Sequence, residues 1–381
     1  MRLLGSICIA IAAPLLWAGT PLPDNAIEAV RVSEVVASMQ SAIERLDSGA
    51  YMSQINPSDP VLATEHRAWF AELSVAPVQD LHIAIDPNTE ILLENDGSII
   101  APIVYTWQVP SEDNPRRYDM PARFAPIGTP HGQWHFIGRA WDIAITDTPG
   151  VRIYCDDEHA DIANMASERV PVLRDAIAKD MGIDPNGGDL HEVVVKIYPK
   201  MRELQASIYP SYTAGISGWN EPGESIKILG RDKMKQDRLD PLLAHEIGHA
   251  VSFEYGPQIN LAPWWTLEGI AEVAAGLFRD SWDRKNQRIA SLAQTDNLRD
   301  WDLLADFKGE AINHGMHVYL QGWSMIDYID RTFGKDARNA WFIQLGHANT
   351  LDQASRAALG LPFDQLDAQW RASLQEVELK D

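Results

Sequence analysis

The sequence predicts an α+β chain in two parts: helices and an antiparallel sheet first, then a mostly helical part with a small sheet. Three observations carry this. Helical apolar spacing begins at residue 24, short β-rich runs divided by turn residues fill roughly 81 to 141, and from Asp240 to the end the spacing is again mostly helical. The 381 residues suffice for two domains of ordinary size, and 45% hydrophobic with 23% charged residues is a globular composition.

Residues 1–20 read as an export signal. Arg2 supplies the positive start, Leu3 to Trp17 an apolar run, and Ala18-Gly19-Thr20 the small residues at which a signal is cut. The run is about 15 residues, short of the roughly 20 that cross a bilayer. The expected location is extracytoplasmic, secreted or periplasmic, with an uncleaved N-terminal tether as the alternative reading.

Residues 24–145 form the first expected domain. Ile27, Val32, Val35, Val36, Met39, Ile43 and Leu46 repeat at helical spacing behind Asp24, a good N-cap. Thr64 to Leu73 suggests a second helix. Strands are expected at 81–85, 90–93, 99–108, 122–127 and 132–141, with Asn95-Asp96-Gly97 as one of the turns. This order, a helical hairpin and then an antiparallel sheet, resembles the NTF2-like cone fold. His131 and His135 share a strand face but stand about 13 Å apart at 3.3 Å per residue, too far for one ion. They read as strand residues.

Thr146 to Gly150 marks the boundary, and residues 150–381 form the second expected domain. It should open on a strand (Val151 to Tyr154), a helix (Asp157 to Met181) and a strand (Val193 to Tyr198). A loop through Ser217-Gly218-Trp219 then leads to a strand at Ser225 to Leu229.

The formal net charge of −22 argues against a nucleic-acid binder, which needs a basic face for the phosphates, and against adsorption on anionic membranes. Thirteen Trp point to well-filled cores or aromatic clefts. With Cys8 inside the signal, a processed chain retains only Cys155, read as a semi-buried thiol rather than a nucleophile.

The chemistry concentrates at Pro241-Leu-Leu-Ala-His245-Glu246-Ile-Gly-His249. Asp240 as N-cap, Pro241 at the first helical position and Gly256-Pro257 as the stop place this motif on a helix. There His245 and His249 lie one turn apart on one face, so both imidazoles can reach one ion. A zinc ion with three protein ligands keeps a position for water and lowers its pKa to about 7. Glu246, beside the histidines, is placed to take the proton and pass it to a leaving amine.

Downstream stands Pro263-Trp264-Trp265-Thr266-Leu267-Glu268-Gly269-Ile270-Ala271-Glu272. With the His-Glu-x-x-His motif, this Trp-x-x-Glu-Gly-x-Ala-Glu context resembles the gluzincin clan of zinc peptidases, and most closely its bacterial peptidase MA-like families. The resemblance implies a zincin-like catalytic domain with Glu268 as third ligand. It also makes Glu272 a carboxylate that orients a ligating histidine, fixing its tautomer. Tyr319-Leu-Gln-Gly322 is similar to the Tyr-x-x-Gly of aminopeptidase-N-like members. There the tyrosine hydroxyl stabilises the oxyanion. Tyr319 therefore takes that role by analogy, with His317 and His314 as alternatives. In the same clan the edge strand beside the zinc pairs with extended peptides, which would fall to the segment after Gly218-Trp219. The Gly-x-Met-Glu-Asn signature that holds a free N-terminus is absent, which weakens an exopeptidase reading. The likeness covers about residues 151 to 379, its specific part 245 to 322.

The expected activity is thus that of an exported zinc metallopeptidase acting on a peptide or protein. A non-catalytic binding module on the same scaffold, and a zinc hydrolase of a non-peptide bond, are the alternatives.

Overall fold

A computed structural model describes residues 24–128, 132–279, 282–307 and 313–380. The signal segment and His131 lie outside them. Along the chain run α1 (Asp24–Glu44), α2 (Ser48–Met52), α3 (Pro60–Val75), β1 (Gln79–Ile85), β2 (Leu92–Leu93), β3 (Ile99–Gln108), β4 (Arg116–Pro126) and β5 (Trp134–Arg139). Then come β6 (Ile143–Ile145), β7 (Val151–Cys155), α4 (Ala160–Met181), β8 (Val193–Tyr198), α5 (Met201–Ile208), β9 (Gly218–Trp219), β10 (Ile226–Leu229) and α6 (Gln236–Ser252). The chain ends in α7 (Trp264–Gly276), α8 (Trp282–Gln294), α9 (Gly315–Phe333), α10 (Lys335–Gly346), α11 (Leu351–Leu359) and α12 (Phe363–Gln375). The class is α+β with antiparallel pairing. No helix among the described residues is long and apolar enough to cross a membrane.

The chain forms two compact units. The first carries α1 to α3 over a sheet of order β1-β3-β4-β5, with β2 also paired to β3. Strand β3 alternates buried and half-buried residues along its length, the period-2 signature of a sheet with one face on a core. Val32, Met39, Tyr51, Phe70, Ile103, Phe124 and Phe136 fill that core. Asp59 caps α3, accepting a hydrogen bond from Leu62 N at 3.1 Å, with Pro60 just inside the helix. Gly97 takes the left-handed conformation (φ +81°) that the expected turn requires. Three helices, not a simple hairpin, precede the sheet, because Asp47 caps the extra short helix α2. Strand β4 begins at Arg116, ahead of the expected start at 122. Arg116 is buried there at no polar loss, since it donates to the Glu112 carboxylate and to Tyr212 O at 2.8 Å.

This first unit also takes in residues 155–157 and 198–216, which lie beyond the 146–150 boundary expected from sequence. Two indoles bind that segment: Trp69 Nε1 donates to Ala206 O at 3.1 Å and Trp107 Nε1 to Pro210 O at 2.8 Å. Cys155 is buried, and burial, followed by the nearby Asp156, pushes its thiol up to about 12, which makes it a poor nucleophile.

The second unit has a sheet of order β6-β7-β8-β10-β9 and the helices α4 and α6 to α12. Much of the tryptophan content sits in its core. Trp265, Trp323, Trp341 and Trp370 are fully buried, and the rings of Trp265 and Trp301 lie 4.2 Å apart. Helix α6 corrects one expectation. It starts at Gln236, so Asp240 does not cap it and Pro241 lies inside it. Asp240 is instead buried in a two-pronged pair with Arg169 (2.8 Å) and accepts from Gln236 (3.1 Å). Pro241, the sixth residue of α6, removes one backbone hydrogen bond, and the helix continues past it. The helix ends at Ser252, one short 3-10 turn before Gly256.

Candidate metal centre

Three helices of the second unit bring the candidate residues together, and glycines set their spacing. Gly248 on α6 lies against α7, where a Cβ would come within 2.8 Å of Ala274 Cβ and 3.0 Å of Ala271 Cα. Gly269 on α7 faces Gly322 on α9. A Cβ on Gly269 would lie 2.6 Å from the Gly322 carbonyl carbon, and one on Gly322 would strike the Trp265 carbonyl oxygen. The glycines beside Glu268 and after Tyr319 are therefore contact points between helices.

With the helices this close, His245 Nε2 lies 3.2 Å and His249 Nε2 3.5 Å from Glu268 Oε2. One donor atom from each of the three residues falls within 4.8 Å of the others, the one such group among the described residues. The two imidazole planes are near perpendicular (85°) at 4.9 Å. Glu268 Oε2 is buried and makes no hydrogen bond of proper geometry to either nitrogen, so its lone pairs face into the group unsatisfied. Its other oxygen accepts from Trp264 Nε1 at 2.7 Å. A two-histidine, one-carboxylate donor set with a buried, unsatisfied carboxylate oxygen fits a zinc ion with a fourth position for water.

Glu272 lies one turn along α7, with Oε1 3.2 Å from His245 Nδ1. That contact directs the Nδ1 proton outward and leaves the Nε2 lone pair for a metal. On its far side Glu272 meets Lys285 and, at 3.4 Å, Arg279. Burial alone would raise Glu272, but the hydrogen bond from His245 and the Lys285 charge outweigh it and hold the carboxyl at about 2. Glu268 is held low as well: burial opposes ionisation, and the charges of His249 and His245 prevail. His245 is raised despite its burial, by Glu268 and Glu272.

Glu246 is buried on the same helix. Desolvation raises its pKa, with His245 and His249 pulling the other way. Its carboxyl occupies the space a side chain at 218 would need, because a Cβ on Gly218 would lie 2.6 Å from Glu246 Cδ. Gly218 belongs to β9, the last strand of its sheet, paired to β10 through Lys227↔Trp219 and Ile228↔Gly218. The sheet edge nearest the motif is thus Gly218-Trp219 itself, one strand further out than 224–229.

Tyr319 stands in the early part of α9, its ring centroid 5.8 Å from that of His245 and 6.3 Å from that of Trp264. His317 faces elsewhere: its Nδ1 lies 2.9 Å from Gln321 Oε1, and Gln321 Nε2 donates to Arg299 O at 3.0 Å. His314 lies beyond it, 6.5 Å from the His317 ring. The structure therefore brings Tyr319 to the group and leaves both histidines outside it.

Four residues here were not singled out from the sequence. Trp264 holds Glu268 from one turn away, Phe307 bridges Trp264 (4.8 Å) and Trp219 (5.8 Å), and Lys285 backs Glu272. Glu221, in the loop after β9, is pushed up to about 7, first by burial and then by Glu224, with His249 and Glu268 both near enough to influence it. Only Trp264 had an available signal, its i,i+4 spacing to Glu268. A cavity of about 850 Å³ in the same unit, lined by Asp300, Asp302, Asp352, Asp364, Asp367 and Trp301 among others, shares no residue with the metal group.

No protein-family model matches the chain, and no match is found among curated proteins.

Proposed function

We propose that the second unit is a zincin-like zinc hydrolase of the gluzincin type, an exported peptidase, with His245, His249 and Glu268 as the metal ligands. The observation that carries this reading is the convergence of the three donors within 4.8 Å around a buried Glu268 oxygen that has no hydrogen bond. Zinc bound there would supply Lewis-acid activation of water and polarisation of a carbonyl.

The chain's own residues supply the rest. Glu272 holds His245 in the tautomer whose Nε2 is free to ligate, and Trp264 holds the outer oxygen of Glu268, so two of the three ligands are fixed in orientation before any ion binds. Glu246 is a buried carboxylate with a raised pKa, suited to accept a proton and return it to a leaving amine. Tyr319, whose ring lies beside that of His245, is the residue assigned to donate its hydroxyl to the substrate oxygen as negative charge develops there. Strand β9 is the terminal strand in the order β6-β7-β8-β10-β9, and an extended peptide would be read along it by strand addition. This geometry favours peptide over other electrophiles. The N-terminal unit, three helices on an antiparallel sheet, is read as an NTF2-like domain.

The test is direct. The purified chain should bind about one zinc per molecule by elemental analysis and cleave members of a broad peptide library, and Glu246→Gln should retain the zinc and lose the cleavage. Zinc below half an equivalent with the histidines intact would remove the metal reading. Zinc-loaded wild type and Glu246→Gln that behave alike on every substrate would remove the catalytic one.

A further inference from the structure

The metal group is backed by a partly buried cation that the reaction itself does not require. We propose that Lys285 is a positioning residue: it fixes the carboxylate of Glu272 and, through it, the ring of His245. This inference rests on the metal reading above.

Glu272 has two oxygens and two duties. Oε1 meets His245 Nδ1 at 3.2 Å, while Oε2 meets Lys285 and, at 3.4 Å, Arg279. A carboxylate held through one oxygen keeps a soft terminal torsion, because rotation about an sp³–sp² bond is broad. Anchoring the second oxygen fixes the plane of the group, and with it the line along which the His245 N–H must point. The other imidazole nitrogen, 3.2 Å from Glu268, is thereby aimed at the ligand group.

The anchor can do this because it is itself confined. Lys285 lies near the start of α8, its side chain only 17% exposed, against 34% for Arg279. Its ammonium stands 4.9 Å from the ring centroid of Trp323 and 6.0 Å from that of Trp282. Trp323 is fully buried, and Trp282 fits only because position 276 is glycine, where a Cβ would strike the indole. Two aromatic faces and one carboxylate thus hold the ammonium. A lysine serving only solubility would keep its charge in water. This one gives up hydration, and burial lowers its pKa. The Trp282–Trp323–Lys285–Glu272–His245 chain links the core of the unit to one metal ligand.

The experiment measures zinc affinity of the purified chain by chelator competition for wild type, Lys285→Met, Glu272→Gln and the double variant. Lys285→Met should weaken zinc binding by about 10–100-fold, the range for groups that orient a ligand. In the double variant the loss should be no greater than in the worse single, because both changes cut one link. Lys285→Leu, which keeps apolar volume beside the indoles and carries no donor, gives the same reading if the Met variant does not fold. Wild-type affinity in the Lys285 variants overturns the proposal, as do losses that multiply in the double variant. A wild-type chain that takes up no zinc removes the metal reading and this inference with it. Loaded wild type with unaffected Lys285 variants removes this inference alone.

Discussion

Replacing Gly322 by alanine should separate the helices that assemble the candidate site. The added methyl would strike the Trp265 carbonyl oxygen and lie 3.2 Å from its carbonyl carbon and 3.3 Å from Gly269 Cα. These are backbone atoms of a helix whose Trp265 is fully buried, so no flexible side chain can yield. Overpacking of this kind costs about 1–3 kcal/mol, and contacts with backbone on two sides place it at the upper end. Alanine's better helix propensity returns about 1 kcal/mol. The net loss is then about 2 kcal/mol, or a fall of roughly 4–8 °C in Tm for a unit of this size. Gly315 on the same helix is the control, since nothing lies within 4 Å of a Cβ there and its φ is not positive. Gly315→Ala should melt at or slightly above wild type. Calorimetry of both variants without metal reads stability, and chelator competition reads zinc. Since α7 carries Glu268 and Glu272, Gly322→Ala should also weaken zinc binding, whereas Gly315→Ala should not. A Gly322→Ala chain as stable as Gly315→Ala would show that the helices have slack, and the argument from close packing would fail.

The other expectations concern single functional groups. Glu268→Ala should weaken zinc more than about 100-fold, beyond the loss expected from a group that merely orients a ligand, and unchanged affinity would exclude it as third ligand. Tyr319→Phe should lower kcat on a peptide substrate by about 10²–10³-fold at unchanged zinc content, and an unaltered kcat would return the oxyanion role to another donor. Glu221→Gln should change how the metal-free chain responds to pH. The folded carboxyl titrates at about 7 against an ordinary value of 4.5, so between those values the folded state holds a proton that the unfolded chain has released. Stability therefore falls as pH rises through that window, and above pH 7 the amide should be more stable by about 3 kcal/mol. Urea midpoints at pH 5 and pH 8 measure this. Parallel midpoints for the two chains would show that Glu221 is solvated.

How far the fold could be read from sequence depended on whether an element's pattern was its own. Strand β3 was legible end to end because its alternation is uninterrupted. Strand β4 alternates as regularly, but Arg116 occupies an inward position and hides the pattern. Its burial is offset by Glu112 and by the Tyr212 carbonyl, nearly a hundred residues on, which no local window contains. The same non-local logic explains Asp240. As an N-cap it matched every local rule, yet Arg169 on α4 pairs with it, and α6 begins one turn earlier. Residues 198–216 follow the expected boundary in sequence but join the first unit through the indoles of Trp69 and Trp107.

The candidate site divides along the same line. His245, Glu246 and His249 were legible because a helix turns the spacing of three neighbours into geometry. Glu268, Glu272 and Tyr319 were placed only by resemblance, since nothing in the spacing of two other helices says that they meet α6. What brings them there is three glycines, at 248, 269 and 322, where the helices touch. In the sequence those residues read merely as small letters beside the motifs. Lys285 and Glu221 left no signal at all: Lys285 matters through Glu272 on another helix, and Glu221 is raised first by its burial and then by Glu224, neither of which its own spacing announces. The sequence thus marks the groups proposed to do chemistry, which need particular atoms at particular spacings. It leaves unmarked the groups that orient them, for which many residue types would serve if the packing allowed. On that argument, supporting residues are the ones to seek from coordinates, and a double-variant cycle on Lys285 and Glu272 is the measurement that tells a supporting residue from a bystander.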